Sequence, residues 1–421
     1  MASDNNFLVS IDIGSSKIVV LLAEEINGRL EVFGHAKGDS AGVKKGLIVD
    51  VEQASQAIKK VAEDAYLSCN TDFLNVSVNI SDPHLTVINR EGQITVSGNK
   101  ITEQDIESAI KIARAVPTPT NKQVISSVSN RYTLDKDPIT HQGNMVEQPI
   151  GQEAKTLEVS MHIVTVSNQC VNTIDQSIRK SNLGLSNIVL NSMASSEPCI
   201  TQDEKDSGVC LIDIGSGVTN LSVFTQGGIT HSAVIQEGGD QITEDIAYAF
   251  DTSFEEAERL KIDYGCAQRK LIRQDKLVLF QQIDDPEDAE RYLSHQSLVE
   301  VIEQSYLTLF SHITKNLKDQ NLCSRTVIKS GFVLTGGATK IVGCDELLLS
   351  YSRIRTKFGR VNIDKITTKK VQFEKNLKDP VYACALGLLL FEPNEADFRE
   401  KQLNKQGNFL GKIKEHLSLK L

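Results

Sequence analysis

No stretch of this chain is apolar over the roughly 20 residues that a membrane-spanning helix needs. The longest apolar runs are Ile18–Ala23 and Ala383–Phe391. Met1 to Asn6 are polar, without the basic and apolar regions of a secretory signal. The eight cysteines form no C-x-x-C pair, so they read as reduced thiols in a cytoplasmic protein rather than as a disulfide framework. Cationic residues are in deficit: Lys+Arg total 45 against 55 for Asp+Glu, a formal net charge of −10. A broad nucleic-acid surface is therefore not expected, because phosphate contacts need clustered cations. There is no G-x-x-x-x-G-K-[ST] loop, and Gly215-x-Gly217 lacks the third glycine of a dinucleotide fingerprint. Without a G-x-S-x-G elbow a hydrolase triad has no anchor, and the eight histidines never reach H-E-x-x-H spacing.

What the chain does have is an internal echo. Ile11-Asp-Ile-Gly-Ser-Ser-Lys17 returns as Ile212-Asp-Ile-Gly-Ser-Gly-Val-Thr219, with Asp12 and Asp213 separated by 201 positions. Each motif sits between apolar or β-branched runs, which predicts a hairpin turning at Gly14-Ser15-Ser16 and at Gly215-Ser216-Gly217. One hairpin in each half of 421 residues suggests two related α/β lobes. Helices separate them. One starts after Asp50, one at the capping box Thr102-x-x-Asp105, one at Ser253-x-x-Glu256, and a long one begins near Ser297. Residues 85–160 differ, with β-rich pieces around a single helix and turns at Pro117, Pro119, Pro138 and Pro149, as in a compact insertion.

A third glycine motif, Gly336-Gly337-Ala338, follows the apolar segment Phe332-Val-Leu-Thr335. Together the three pieces have the logic of a nucleotide clamp. Glycine turns admit backbone N–H groups to phosphate oxygens, and serine or threonine hydroxyls add donors. Asp12 and Asp213, each ending a strand, suit a divalent cation held through water. Lys17 can meet a phosphate as a point charge. At the other end, Phe409, Leu410, Ile413, Leu417 and Leu421 fall within an arc of about 120° of a helical wheel, with Lys412 and Lys414 beside it. Such a stripe suits an anionic membrane surface, and the polar segment before it reads as a tether.

Two Asp-x-Gly hairpins followed by a late Gly-Gly-Ala loop resemble the actin, sugar-kinase and heat-shock-chaperone ATPase superfamily. Within it the chain resembles the bacterial cell-division family FtsA over nearly its whole length. The residues that carry this are Ser15-Ser16-Lys17, Ala194-Ser195-Ser196, Gly208 to Gly215, Asp245 to Phe250, Leu334 to Ala338 and the amphipathic C-terminus.

The resemblance implies an α/β fold, two-lobed and actin-like (a ribonuclease-H-like unit duplicated), with a small α/β subdomain inserted in the first lobe. The expected boundaries are 7–84, 161–207 and 381–391 for the first lobe and 85–160 for the insertion. The second lobe takes 208–239 and 326–380 for its core and 240–325 for its upper subdomain. A linker at 392–407 and a membrane helix at 408–421 follow.

It also implies ATP and Mg2+ as cofactors. The nucleotide contacts fall on Gly14, Ser15, Ser16, Lys17, Gly215, Ser216, Gly217, Thr219, Gly238, Gly239, Glu258, Lys261, Gly336, Gly337 and Ala338. The implied partners are the FtsZ C-terminal tail on the 240–325 side, further copies of the chain in filaments, and later division proteins through 85–160. The implied location is the inner face of the cell membrane at the septum. A PilM-like pilus-assembly scaffold is an alternative, and a small-metabolite kinase another, although no catalytic carboxylate stands out for it. Filament-forming relatives such as MreB carry a glutamate about 22 positions before the second aspartate. Here that position is Asn191, and Glu197 falls after the small-residue segment. An amide cannot accept a proton from water, so slow or negligible hydrolysis is expected.

Overall fold

The computed structural model describes residues 7–137, 139–140, 142–282, 291–361 and 365–391. The expected linker and the stripe from Phe409 to Leu421 lie outside the described residues.

The echo is a duplication in register as well as in sequence. Strands Phe7–Ile13 and Lys17–Ile26 pair antiparallel with Asp12 opposite Val19. Strands Val209–Ile214 and Thr219–Thr225 pair antiparallel with Asp213 opposite Asn220. Each turn closes on one backbone hydrogen bond of 2.9 Å, from Gly14 N–H to the Lys17 carbonyl and from Gly215 N–H to the Val218 carbonyl. Adding 201 to the pairs from Leu8–Ala23 to Ile13–Ile18, and to the turn bond, gives the pairs and the turn bond of the second hairpin. Each motif strand also has a parallel neighbour on its other side, Asn75–Ile80 in the first lobe and Gly331–Thr335 in the second.

The first-lobe sheet has six strands, ordered Gly184–Leu190, Asn75–Ile80, Phe7–Ile13, Lys17–Ile26, Arg29–Asp39, Ile366–Thr367. The second has five, ordered Gly228–Ile235, Thr219–Thr225, Val209–Ile214, Gly331–Thr335, Thr356–Phe358. Central strands covered on both faces need apolar residues without alternation, and Ile18 to Ala23 are all fully buried.

Helix Val51–Cys69 begins where expected, with Asp50 accepting from the Glu52 and Gln53 amides, and lays Ile58, Val61 and Ala65 on the first sheet. The long helix is His295–Asp319. It starts slightly before Ser297 because the Ser294 side chain caps it by accepting from Ser297 N–H. Its buried face, including Leu298, Ile302, Leu309 and Ile313, shares one core with Ile212, Leu221 and Leu334 of the second lobe.

The insertion is a four-stranded antiparallel sheet ordered Thr86–Thr95, Thr156–Ser167, Lys122–Leu134, Asn144–Val146. Helix Glu103–Arg114, opened by the Thr102/Asp105 capping box, crosses it. The strand containing residue 160 runs on to Ser167, because Met161 to Val166 contain no glycine or proline to stop it. A second difference concerns the return to the first lobe, expected at residue 381. It comes earlier: Ile366 and Thr367 pair with Leu30 and Glu31. Phe373 and Leu377 then pack with Val19, Leu21 and Val32 in the first-lobe core. A two-residue strand carries no readable period, which hid this crossing in the sequence.

Candidate nucleotide site

The two hairpin turns face one cavity of about 510 Å3. The first hairpin brings Asp12, Gly14, Ser15, Ser16 and Lys17 to it, and the second brings Asp213, Gly215, Ser216 and Gly217. Gly336, Gly337 and Ala338 close another side, with Gly239, Glu258 and Lys261 beside them. Two of the expected contacts stand elsewhere. Gly238 borders a neighbouring cavity of about 230 Å3, which it shares with Ser15, Ser216 and Gly217. Thr219 is fully buried, and its hydroxyl donates to the Glu237 carbonyl at 2.8 Å rather than lining the cavity.

The two aspartates are joined by amides. Asn79 Nδ2 donates to Asp12 Oδ1 and to Asn191 Oδ1, both at 2.9 Å. Asn191 Nδ2 in turn donates to Asp213 Oδ2 at 2.8 Å, and Ser195 Oγ donates to the same oxygen at 2.6 Å. Burial pushes the Asp12 carboxyl up to about 6, with Lys17 opposing and Asp213 adding to the rise. Burial also raises Asp213, against the hydrogen bonds from Ser195 and Asn191. Lys17 is lowered by burial, while both aspartates oppose that shift. Its ammonium donates to the Val381 carbonyl at 2.9 Å. Two buried carboxylates whose ionisation is disfavoured fit a divalent cation. Among the described residues no group of three or more His, Cys, Asp or Glu could ligate one. A cation here would keep much of its water, as Mg2+ does.

The second-lobe wall is fixed by a compact network. Lys261 Nζ lies 2.6 Å from Glu258 Oε2 and donates to the Gly239 carbonyl and to Thr243 Oγ1. Helix Gly239–Phe250 starts against the hairpin turn, where Gly239 N–H and Asp240 N–H bond the Gly215 and Ser216 carbonyls. In the neighbouring loop Gly336 has φ +90°, and a Cβ there would lie 2.4 Å from both Asp213 Oδ1 and the Ile214 carbonyl oxygen. Only glycine fits that backbone without displacing the aspartate. The buried Tyr306 hydroxyl donates to the Ala338 carbonyl at 2.7 Å and holds the loop in place.

Sequence reasoning missed Asn79, Asn220 and Tyr306, all of which line the cavity. Asn220 is only 3% exposed, yet its Oδ1 has no hydrogen-bond partner among the described residues. A buried, unpartnered carbonyl costs about 1–3 kcal/mol, so its presence in a cavity wall marks a place for a donor. The duplication carried a signal for one of these residues. Asn220 stands 201 positions after the apolar Val19 in the equivalent strand.

A family model described as cell division protein FtsA matches residues 210–387, and one described as the SHS2 domain inserted in FtsA matches residues 83–165. The cell division protein FtsA of Pseudomonas aeruginosa is 33% identical over 385 residues, covering 91% of this chain and 88% of that protein. Among solved structures, a PilM–PilN type IV pilus biogenesis complex aligns with TM-score 0.62 and 18% identity over 91% of this chain and 97% of that one. MreB5 of Spiroplasma citri bound to ADP aligns with TM-score 0.56 and 13% identity over 92% and 96%. These two likenesses confirm the two-lobed actin-like fold. With its inserted domain and its similarity over nine-tenths of a curated relative, the chain belongs to the FtsA family of cell-division proteins.

Proposed function

We propose that this protein is an ATP-binding, actin-like division factor that assembles on itself and anchors the FtsZ ring to the inner face of the cytoplasmic membrane, where it recruits later division proteins. The observation that supports this reading best is the pair of hairpin turns in identical register, facing one cavity with the Gly336 loop. In this reading the turns from Gly14 to Lys17 and from Gly215 to Gly217 receive the phosphates, and Asp12 and Asp213 hold Mg2+ through water. Adenosine lies against Gly239, Glu258, Lys261 and the loop from Gly336 to Ala338. Asn191 gives the site an amide where a base would have to stand, so bound ATP turns over slowly. The FtsZ tail belongs to the 240–325 side, later partners to the insertion, and membrane attachment to residues 408–421.

Titration of ATP–Mg2+ into the purified protein tests the nucleotide. Asp213→Ala should weaken binding by roughly 10- to 150-fold, the loss of one charged contact. Unchanged affinity in a folded variant would sink the assignment. Co-sedimentation with vesicles containing anionic lipid, with and without ATP and FtsZ, tests the anchoring. Phe409→Glu with Ile413→Glu should leave the protein in the supernatant. Continued pelleting of that variant with lipid alone rules out the membrane stripe.

A further inference from the structure

The inserted subdomain is covalently part of the first lobe, yet it also holds the second by polar contacts. Gly228–Ile235 is the edge strand of the second-lobe sheet, and an edge strand leaves a row of backbone groups to be satisfied. The insertion supplies the partners. Asn130 works as a two-way clip on one residue: its Nδ2 donates to the Ile229 carbonyl at 2.6 Å, and its Oδ1 accepts from Ile229 N–H at 3.0 Å. Asn89 Nδ2 donates to the Thr230 carbonyl at 2.7 Å.

Behind Asn89 stands His162, fully buried. Its Nδ1 is 2.7 Å from Asn89 Oδ1, and its Nε2 is 3.1 Å from Ser232 Oγ. Because Asn89 presents its oxygen to the ring, Nδ1 carries the proton, and Nε2 accepts from the Ser232 hydroxyl. The relay thus starts and ends on the same strand, at Thr230 and Ser232. The contact is close as well: a Cβ on Gly228 would lie 2.6 Å from Asn130 Cβ.

The first-lobe end of the insertion is equally fixed. Asp82, fully buried, accepts from His84 N–H with one oxygen at 2.8 Å and from Ser167 N–H with the other at 2.7 Å. His84 and Ser167 flank the two chain crossings between lobe and insertion. One rigid sheet is therefore bolted to the first lobe at Asp82 and to the second at Asn130, Asn89 and His162. The nucleotide cavity lies between the same two lobes.

We propose that the insertion is a mechanical strap across the two lobes, so that opening or closing the nucleotide cavity must either break the Asn130–His162 seam or reorient the insertion. This rests on the nucleotide reading above and adds to it a route by which that site and the insertion influence each other. Coupling of this kind is reciprocal. A protein seated on the insertion changes nucleotide affinity by the same factor by which nucleotide changes the affinity of that protein.

The test uses the full chain with ATP–Mg2+ and hydrogen exchange read by mass spectrometry. ATP should slow exchange in the cavity segments and also in the insertion strand Lys122–Leu134 and the edge strand Gly228–Ile235. In Asn130→Ala with Ser232→Ala, the cavity should still be protected by ATP while protection of the insertion strand disappears. Release of a fluorescent ATP analogue should become at least fivefold faster. Gly228→Ala, which presses Asn130 away without removing a polar group, should act in the same direction and guards against a fault peculiar to the double variant. If ATP protects the cavity of the unaltered protein but leaves the insertion strand unchanged, or if release stays within twofold in both variants, the strap is overturned while the nucleotide reading stands. If the unaltered protein binds no ATP, both are overturned.

Discussion

Asn191 Nδ2 and Asp213 Oδ2 meet at 2.8 Å, and the same Asn191 accepts from Asn79 at 2.9 Å through its Oδ1. The amide is used at both ends, as donor to one residue and acceptor from another. A carboxylate of the same size can do only half of this. Asn191→Asp would face Asp213 with a second negative oxygen in a site where burial already disfavours the first. It should destabilise the ligand-free protein by about 2–4 kcal/mol, visible as a lower Tm near pH 7. The loss should shrink on acidification, when one of the pair takes up a proton. An equal or higher Tm at pH 7 would show that the amide relay is not what holds the two motif strands together.

Adjacent glycines in the late loop make opposite demands. At Gly336 a methyl group would meet Asp213 Oδ1 and the Ile214 carbonyl at 2.4 Å on a backbone with φ +90°. At Gly337 the nearest atom to a new Cβ is 3.7 Å away, an ordinary contact. Gly336→Ala should therefore cost the ligand-free protein about 2–3 kcal/mol through strain and the forced shift of Asp213. Gly337→Ala should stay within about 0.5 kcal/mol of the unaltered protein. Urea unfolding of the two variants side by side checks the contrast, and equal losses would contradict it.

The hairpins could be read from the sequence because two independent signals coincided there, apolar runs on either side and turn residues between them, and both occurred twice. The site around them was less legible for a physical reason. Asn79 and Asn191 touch although 112 positions separate them, and a lone asparagine near a strand end or a helix start looks like any turn residue. Tyr306 lies on the buried face of the long helix, where an aromatic is ordinary core until its hydroxyl is seen to bond the Ala338 carbonyl. The early crossing at Ile366–Thr367 left no trace for a different reason, since two paired residues are too few to show a period.

Asn220 offers a test that separates ligand binding from folding. Its Oδ1 is buried without a partner among the described residues, so the ligand-free fold gains nothing from it. Asn220→Leu replaces the amide with an apolar group of similar size. It should leave the ligand-free Tm unchanged or slightly raised. ATP–Mg2+ affinity should fall about 5- to 10-fold, the loss of roughly one hydrogen bond. A large fall in Tm would mean that the carbonyl is satisfied within the fold, and unchanged affinity would remove Asn220 from the site.

The seam between insertion and second lobe should make stability depend on pH through His162. Burial, with His231 adding to it, lowers this imidazole from 6.5 to about 4. The folded protein thus holds the neutral ring, while the unfolded chain takes up a proton below pH 6.5. The stability tied to the neutral ring is fully present above that value and is lost as pH falls from about 6.5 to about 4. Between pH 7 and pH 5 this one group should remove about 2 kcal/mol from the unfolding free energy. His231 is lowered by burial too, against its hydrogen bond to Asn316, and contributes with the same sign. The measurement is therefore a difference. His162→Gln can still bond at two ends but does not titrate in this range, so its unfolding free energy should fall less than that of the unaltered protein over the same interval. Denaturant unfolding at pH 7, 6 and 5 gives both slopes. Parallel slopes would mean that His162 is as accessible to a proton in the folded state as in the unfolded one, and that the seam it belongs to is open in solution.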